Sequence, residues 1–269
     1  MKQKLFITFI LCVWIPVAYA TGIPNLLPWP QQVDWNKQTF SGKEIALQTE
    51  GNTEQMVTAW LQENNIGINP ASKHKLQIKL VKELPEAKLN ANEAYKLQVS
   101  SQGITIEATT EQGIYWAIQT LRQLTEKKGD RAYITGCRIT DWPAFRIRGF
   151  MQDVGRSYIS LEELKREIAI LSRYKINVFH WHLTENQSWR LESKVFPMIN
   201  DSINTTRMPG KYYTLEEAKE LVAFCKQHQV MLIPELDMPG HSAAFERTFR
   251  HDMQSPEGMK ILKLLIEEV

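Results

Sequence analysis

Residues 177–190, Asn177 to Arg190, read NVFHWHLTENQSWR. The first half, Asn177 to Leu183, is a short apolar run of strand-favouring residues, Val178, Phe179 and Trp181, with His180 and His182 set into it. The second half is polar and carries Glu185, Asn186, Gln187 and Arg190. A strand that empties into a polar loop is how α/β proteins present chemistry, at the carboxyl ends of their strands. Two further strand-like runs flank it, Phe145 to Gln152 and Val230 to Leu236. Runs of this kind suit strands covered on both faces, as parallel strands are.

Helices fill the intervals. Ser160-Leu161-Glu162-Glu163 and Thr214-Leu215-Glu216-Glu217 each form a capping box, and each is followed by apolar residues at helical spacing: Leu164, Ile168 and Leu171, then Ala218, Leu221, Val222 and Cys225. A third helix is expected from Ser255-Pro256 through Met259, Leu262, Leu265 and Ile266. Strand and helix therefore alternate three times, with right-handed crossovers expected. A full (β/α)₈ barrel takes roughly 250 residues, and residues 145–269 are about half of that. The expected architecture is about the first three β/α units of a TIM barrel, with unpaired apolar strand edges and poor solubility for the chain alone.

Upstream of Asp141-Trp142-Pro143 the periodicity differs. Leu76, Ile78 and Leu80 alternate with polar residues, as do Tyr95, Leu97 and Val99, and then Ile104 and Ile106 after a Ser101-Gln102-Gly103 hairpin turn. Thr53 is placed to cap a helix through Leu61, and Thr109 with Gln112 resembles a capping box ahead of Ile114, Ala117, Ile118, Leu121 and Leu124. Residues 21–141 are expected to form a small α+β domain with one sheet face solvated. The barrel part is expected over residues 142–269.

Residues 1–20 have the form of an export signal: Lys2 and Lys4, an apolar stretch from Leu5 to Val17, and an Ala18-Tyr19-Ala20 cleavage site. An exported protein of the periplasm, cell surface or outside is expected, with no membrane insertion once the signal is removed. Loss of Lys2 and Lys4 brings the 32 basic residues down to 30, equal to the 30 acidic ones. A charge near zero gives no footprint for nucleic acid or a membrane surface. Cys137 and Cys225 lie in different expected domains, and no Cys/His ligand cluster exists, so no cofactor is expected. Two thiols fit a bacterial exported protein better than a lysosomal one, and the sequons at Asn186, Asn200 and Asn204 matter only where glycosylation occurs.

Polar groups gather at three strand ends: Asp153 and Arg156 in MQDVGRSY, then His182, Glu185 and Asn186, then Glu235, Asp237 and His241 in PELDMPGH. Each has a bland alternative: a surface ion pair for Arg156, hydrogen-bonded barrel histidines for His180 and His182, and turn residues for Asp237 and His241. A barrel weakens those alternatives jointly, because it brings all three ends to one face.

RGFMQDVGR, NVFHWHLTENQSWR and YYTLEEAKELVAFCKQHQVMLIPELDMPGH, in this order, resemble the family-20 glycoside hydrolases, the β-N-acetylhexosaminidases. The segment from LLPWPQQV to Asp141-Trp142-Pro143 resembles that family's non-catalytic N-terminal domain. The resemblance implies a glycan substrate with a terminal N-acetylhexosamine, cut in a retaining reaction whose nucleophile is the substrate's own acetamido carbonyl. It implies that Arg156 binds sugar hydroxyls and that His241 is linked to the general acid. Glu185 would orient His241, standing where the family usually has aspartate, as Asn186 does for a second aspartate. His182 and Asp237 are further candidates. The family's Asp-Glu pair, which supplies the acid, follows a fourth strand, and no Asp-Glu pair occurs in this sequence. A metal-dependent barrel hydrolase using His180-x-His182 and a non-catalytic glycan-binding protein remain the rival readings.

Overall fold

A computed structural model describes residues 24–51 and 53–269. The expected export signal lies outside the described residues. The first part of the chain folds as β1 (Gln32–Gly42), β2 (Glu44–Gln48), α1 (Glu54–Glu63), β3 (Gly67–Ile68), β4 (Lys75–Leu80), β5 (Tyr95–Ser100), β6 (Gly103–Ala108), α2 (Glu111–Leu124), β7 (Thr125–Lys128) and β8 (Arg131–Asp141). These strands make one mixed sheet in the order β1-β8-β5-β6-β4-β2-β3, with β7 added on β8. The alternation of apolar residues sorts its faces. Leu76, Ile78, Leu97, Val99, Ile104 and Ile106 are buried with Trp60, Trp116 and Leu121 of the two helices, while Lys96, Gln98, Thr105, Glu107 and Arg138 line an open cleft on the other face.

Both expected helices form, and only the start of α2 shifts. Thr53 precedes α1 without accepting a capping bond; its hydroxyl donates to Glu50 O at 2.7 Å instead. The cap of α2 is Thr110, which accepts from Gly113 N, not Thr109. Thr109 is held by Ala91 O. Neighbouring loop carbonyls outcompete the local pattern in both cases.

After Asp141 come β9 (Gly149–Asp153), α3 (Leu161–Arg173), β10 (Val178–His182), α4 (Leu215–Gln227), β11 (Met231–Glu235), α5 (Ala243–Phe249) and α6 (Pro256–Glu267). The three strands form a parallel sheet in the order β11-β10-β9. Both capping boxes on α3 and α4 are present, from Ser160 and Thr214. The first strand is shorter than its sequence pattern: Phe145 and Ile147 lie outside β9 and are exposed. Two-sided burial holds only for the middle strand. Val178 on one face of β10 and Phe179 and Trp181 on the other are buried, whereas Met151 on β9 and Met231 and Ile233 on β11, on the face of Val178, remain exposed, because α3 and α4 pack on the opposite face. The strict strand–helix alternation also fails once, since α5 intervenes between β11 and α6. Along the helices, Val222, Met259 and Ile266 turn outward instead of into the core. Cys137 and Cys225 are both free and buried.

Two buried polar clusters join the sheets. Lys175 donates to Asp141 Oδ2 at 2.7 Å and to the Tyr95 hydroxyl at 2.8 Å, and burial pushes the lysine pKa down. Glu93 accepts from Trp116 Nε1 at 2.8 Å and Asn177 Nδ2 at 3.2 Å, and pairs with Arg148. Arg148, Lys175 and Asn177 all precede β9 or β10. The N-terminal sheet therefore grips the amino ends of the parallel strands, and their carboxyl ends stay free to carry a site.

Candidate active site

The register of the parallel sheet sets the site. His182 pairs with Asp153 on one side and Glu235 on the other. These three residues end their strands level with one another, on the face that carries Met151, His180 and Ile233 two residues earlier. Three loops then leave the sheet together.

The loop after β9 folds back on Asp153. The Arg156 N–H donates to Asp153 Oδ1 at 2.9 Å, and the Arg156 guanidinium contacts both Asp153 Oδ2 and Glu185 Oε1. The hydrogen bond to Asp153, reinforced by Glu185 and Asp237, raises the arginine pKa and keeps the group charged. Arg156 is 47% exposed and Glu185 only 1%. The arginine thus stands with one side anchored and the other open to a ligand.

Glu185 is the centre of the arrangement. Its Oε2 accepts from Asn186 N at 2.8 Å. Its Oε1 meets Arg156, lies 2.8 Å from His241 Nδ1, and lies 3.7 Å from His182 Nε2. The loop itself is held by Arg190, which is fully buried and donates to the carbonyls of Val154, Met208, Lys211 and Arg207 at 2.6–3.1 Å. Burial lowers the Arg190 pKa.

His241 follows Pro239-Gly240 in the left-handed backbone region, at φ 53°, a conformation uncommon for a residue with a side chain. Its Nε2 is 4.0 Å from Asp237 Oδ2. The Asp237 N–H donates to Thr184 Oγ1 at 2.8 Å, tying the β11 loop to the β10 loop. Asn186 Oδ1 accepts from Ala243 N at 3.2 Å at the start of α5.

Arg156, Glu185, His241, Asp237 and His182 therefore gather at one place. His180 sits one layer down, with Nε2 at 2.7 Å from Glu235 Oε2, the same oxygen that lies 2.7 Å from His182 Nδ1. Two sets of residues could hold a cation by proximity: Asp153, His182 and Glu185, and His182, Glu235 and Asp237. In the first set the Arg156 guanidinium already lies against both carboxylates. In the second a cation would displace the His182–Glu235 hydrogen bond. The geometry favours organic chemistry: a fork of donors suited to vicinal hydroxyls beside an imidazole nitrogen 2.8 Å from a buried carboxylate oxygen.

The family-20 catalytic-domain model, described as "Glycosyl hydrolase family 20, catalytic domain", matches residues 145–260, and "Glycosyl hydrolase family 20, domain 2" matches residues 23–142. The chain belongs to glycoside hydrolase family 20. This family-20 chain is 32% identical over 247 residues to a β-hexosaminidase of Vibrio furnissii, covering 86% of the chain and 40% of that protein. It is 36% identical over 165 residues to a β-hexosaminidase of Porphyromonas gingivalis, covering 56% of the chain and 21% of that protein. In three dimensions it resembles the exo-β-N-acetylglucosaminidase of Vibrio harveyi bound to N-acetylglucosamine, with TM-score 0.77 and 28% identity over 90% of the chain and 44% of the enzyme. The chain thus spans less than half the length of these relatives.

Three residues gain roles that the sequence pattern did not assign. Asp153 clamps Arg156, Glu235 holds two imidazoles, and Gly155 leaves room for Glu185, whose Cβ would be 2.8 Å from a Cβ at that position. Asp153 and Glu235 were visible as polar strand ends. Nothing local marks Gly155.

Proposed function

We propose that this chain serves an exo-acting β-N-acetylhexosaminidase that removes terminal N-acetylglucosamine or N-acetylgalactosamine by retaining, substrate-assisted hydrolysis. The observation that carries this reading is the convergence of Arg156 and His241 on one buried carboxylate oxygen of Glu185. Arg156 would hold the hydroxyls of the terminal sugar, and Glu185 would set His241 against the general acid, with Asp237 and His182 supporting them. Residues 21–141 would be the non-catalytic domain and residues 142–269 the part of the barrel that carries these loops. No Asp-Glu pair occurs within the 269 residues, so these residues alone would bind sugar without turning it over. General acid catalysis contributes about 10²–10⁴ in rate.

The test is calorimetric titration of the chain with N-acetylglucosamine. Binding is expected, with Arg156→Ala weakening it at least about tenfold, because hydrogen bonds to a charged donor are worth roughly 1.5–3 kcal/mol. Equal affinity in the variant would remove Arg156 from the site. Export is part of the same proposal. Protein recovered outside the cytoplasm should begin at Thr21 by N-terminal sequencing, and a start at Met1 would contradict it.

A further inference from the structure

We propose that Glu235 is a positioning residue for the sugar site, acting through His182 on Glu185. The geometry is a continuous line of side chains across β11, β10 and the loop after β10. Glu235 Oε2 lies 2.7 Å from His182 Nδ1, His182 Nε2 lies 3.7 Å from Glu185 Oε1, and that oxygen lies 2.8 Å from His241 Nδ1 and against Arg156. His182 is 5% exposed, and its Nε2 is buried without a hydrogen-bond partner. An imidazole in that setting has two ring orientations of similar shape, and the bond made by one nitrogen decides where the other points. The 2.7 Å contact between Glu235 Oε2 and Nδ1 holds the ring so that Nε2 points at Glu185. His180 Nε2 meets the same Glu235 oxygen at 2.7 Å, which fixes that carboxylate from a second side.

The placement is also electrostatic. Asp153, Glu185, Glu235 and Asp237 crowd one end of a three-stranded sheet, with Arg156 as the neighbouring guanidinium. The His182 ring stands between Glu185 and Glu235 and separates two carboxylates that would otherwise repel. A carboxylate buried as completely as Glu185 keeps its position only while its surroundings are fixed. Freeing the His182 ring would let Glu185 shift, and both Arg156 and His241 would follow. The sugar-binding half of this inference rests on the proposed function; the coupling of Glu235 to His241 does not.

The experiment separates the two. The chain has six histidines, few enough to assign in long-range ¹H–¹⁵N spectra of the imidazoles. In the absence of sugar, Glu235→Gln is expected to move the His241 ring nitrogens, and the same substitution made in a Glu185→Gln background is expected to leave them where Glu185→Gln alone put them. N-acetylglucosamine affinity should fall about tenfold in Glu235→Gln and show the same non-additivity, the signature of residues that act through one another. His182→Gln, which breaks the line at its middle, should reproduce both effects, and it carries the test if Glu235→Gln misfolds by thermal melting. Additive changes, or a His241 spectrum indifferent to Glu235 and His182, would overturn the proposal. A chain that shows the His241 coupling but binds no N-acetylglucosamine would refute the hexosaminidase reading and leave the positioning line intact.

Discussion

Gly155 and Gly240 flank the site and make opposite demands on it. A Cβ at Gly155 would meet the Glu185 Cβ at 2.8 Å, its Cγ at 3.1 Å and the Thr184 carbonyl carbon at 3.2 Å; at Gly240 nothing lies within 4 Å. The first glycine lets the β9 loop press onto the buried Glu185, while the second has open space beside His241. Gly155→Ala is expected to displace Glu185, weaken N-acetylglucosamine binding and cost about 1–3 kcal/mol of stability, the usual price of overpacking. Gly240→Ala should change stability by less than about 0.5 kcal/mol. Chemical denaturation with parallel titrations checks both, and equal effects at the two positions would show that contact with Glu185 is not what distinguishes them. Residue types at the strand ends were legible in the sequence because catalytic loops concentrate charge. The partners were not. Glu185 meets Arg156 and His241 only across separate loops, and the tight fit at Gly155 depends on a side chain 30 residues away, beyond any local pattern.

At the scale of elements, legibility follows the range of the interaction. The boxes at Ser160 and Thr214 close within one turn, and both form as the sequence predicts. Thr109 with Gln112 had a comparable local pattern and Thr53 a lone capping hydroxyl, but carbonyls of Glu50 and Ala91 capture both hydroxyls. The seven-residue α5 carries too little periodicity to announce itself. The end of α4 shows a similar contest. His228 is its C-cap, where the helix dipole favours an imidazolium. Burial nonetheless lowers its pKa, and the charges of Arg122 and Arg173 lower it further, against the raising effect of its bond to Phe224 O at 2.9 Å. The unfolded chain takes up this proton near pH 6.5, whereas the folded chain resists it until a lower pH. The stability contributed by neutral His228 is thus complete above the unfolded pKa and is lost as pH falls toward the folded value. His228→Gln should flatten the stability–pH curve between about pH 6.5 and the lower folded pKa. Urea melts across that range measure it, and an unchanged slope would remove His228 as the cause.

For the whole molecule, the change in apolar period at Asp141-Trp142-Pro143 separated the two sheets, because alternation and continuous runs report one-sided and two-sided burial. The continuous runs overstated burial at β9 and β11, since α3 and α4 pack on the face of Phe179 and Trp181 while Met151, Met231 and Ile233 point to the other face. Met151 is 54% exposed, Met231 56% and Ile233 41%. Beside Met231 a groove of about 720 Å³ runs between β11 and α4, lined by Trp181, Leu191, Leu215, Val222 and Pro234. The outer edges of β9 and β11 pair with no strand among the described residues, and open apolar edges are templates for pairing with another chain. On the N-terminal sheet, Lys96, Glu107 and Arg138 line the open face. The 269-residue chain is therefore expected to self-associate through the parallel sheet as its concentration rises. Met151→Lys together with Ile233→Lys should suppress this without changing the far-ultraviolet spectrum, because both side chains already face solvent and a lysine can keep its charge in water there. Sedimentation velocity over a concentration series decides the matter: a wild-type chain that stays monomeric throughout would show that the half-exposed methionines and isoleucine do not act as an adhesive face, and association that survives both lysines would place the contact elsewhere.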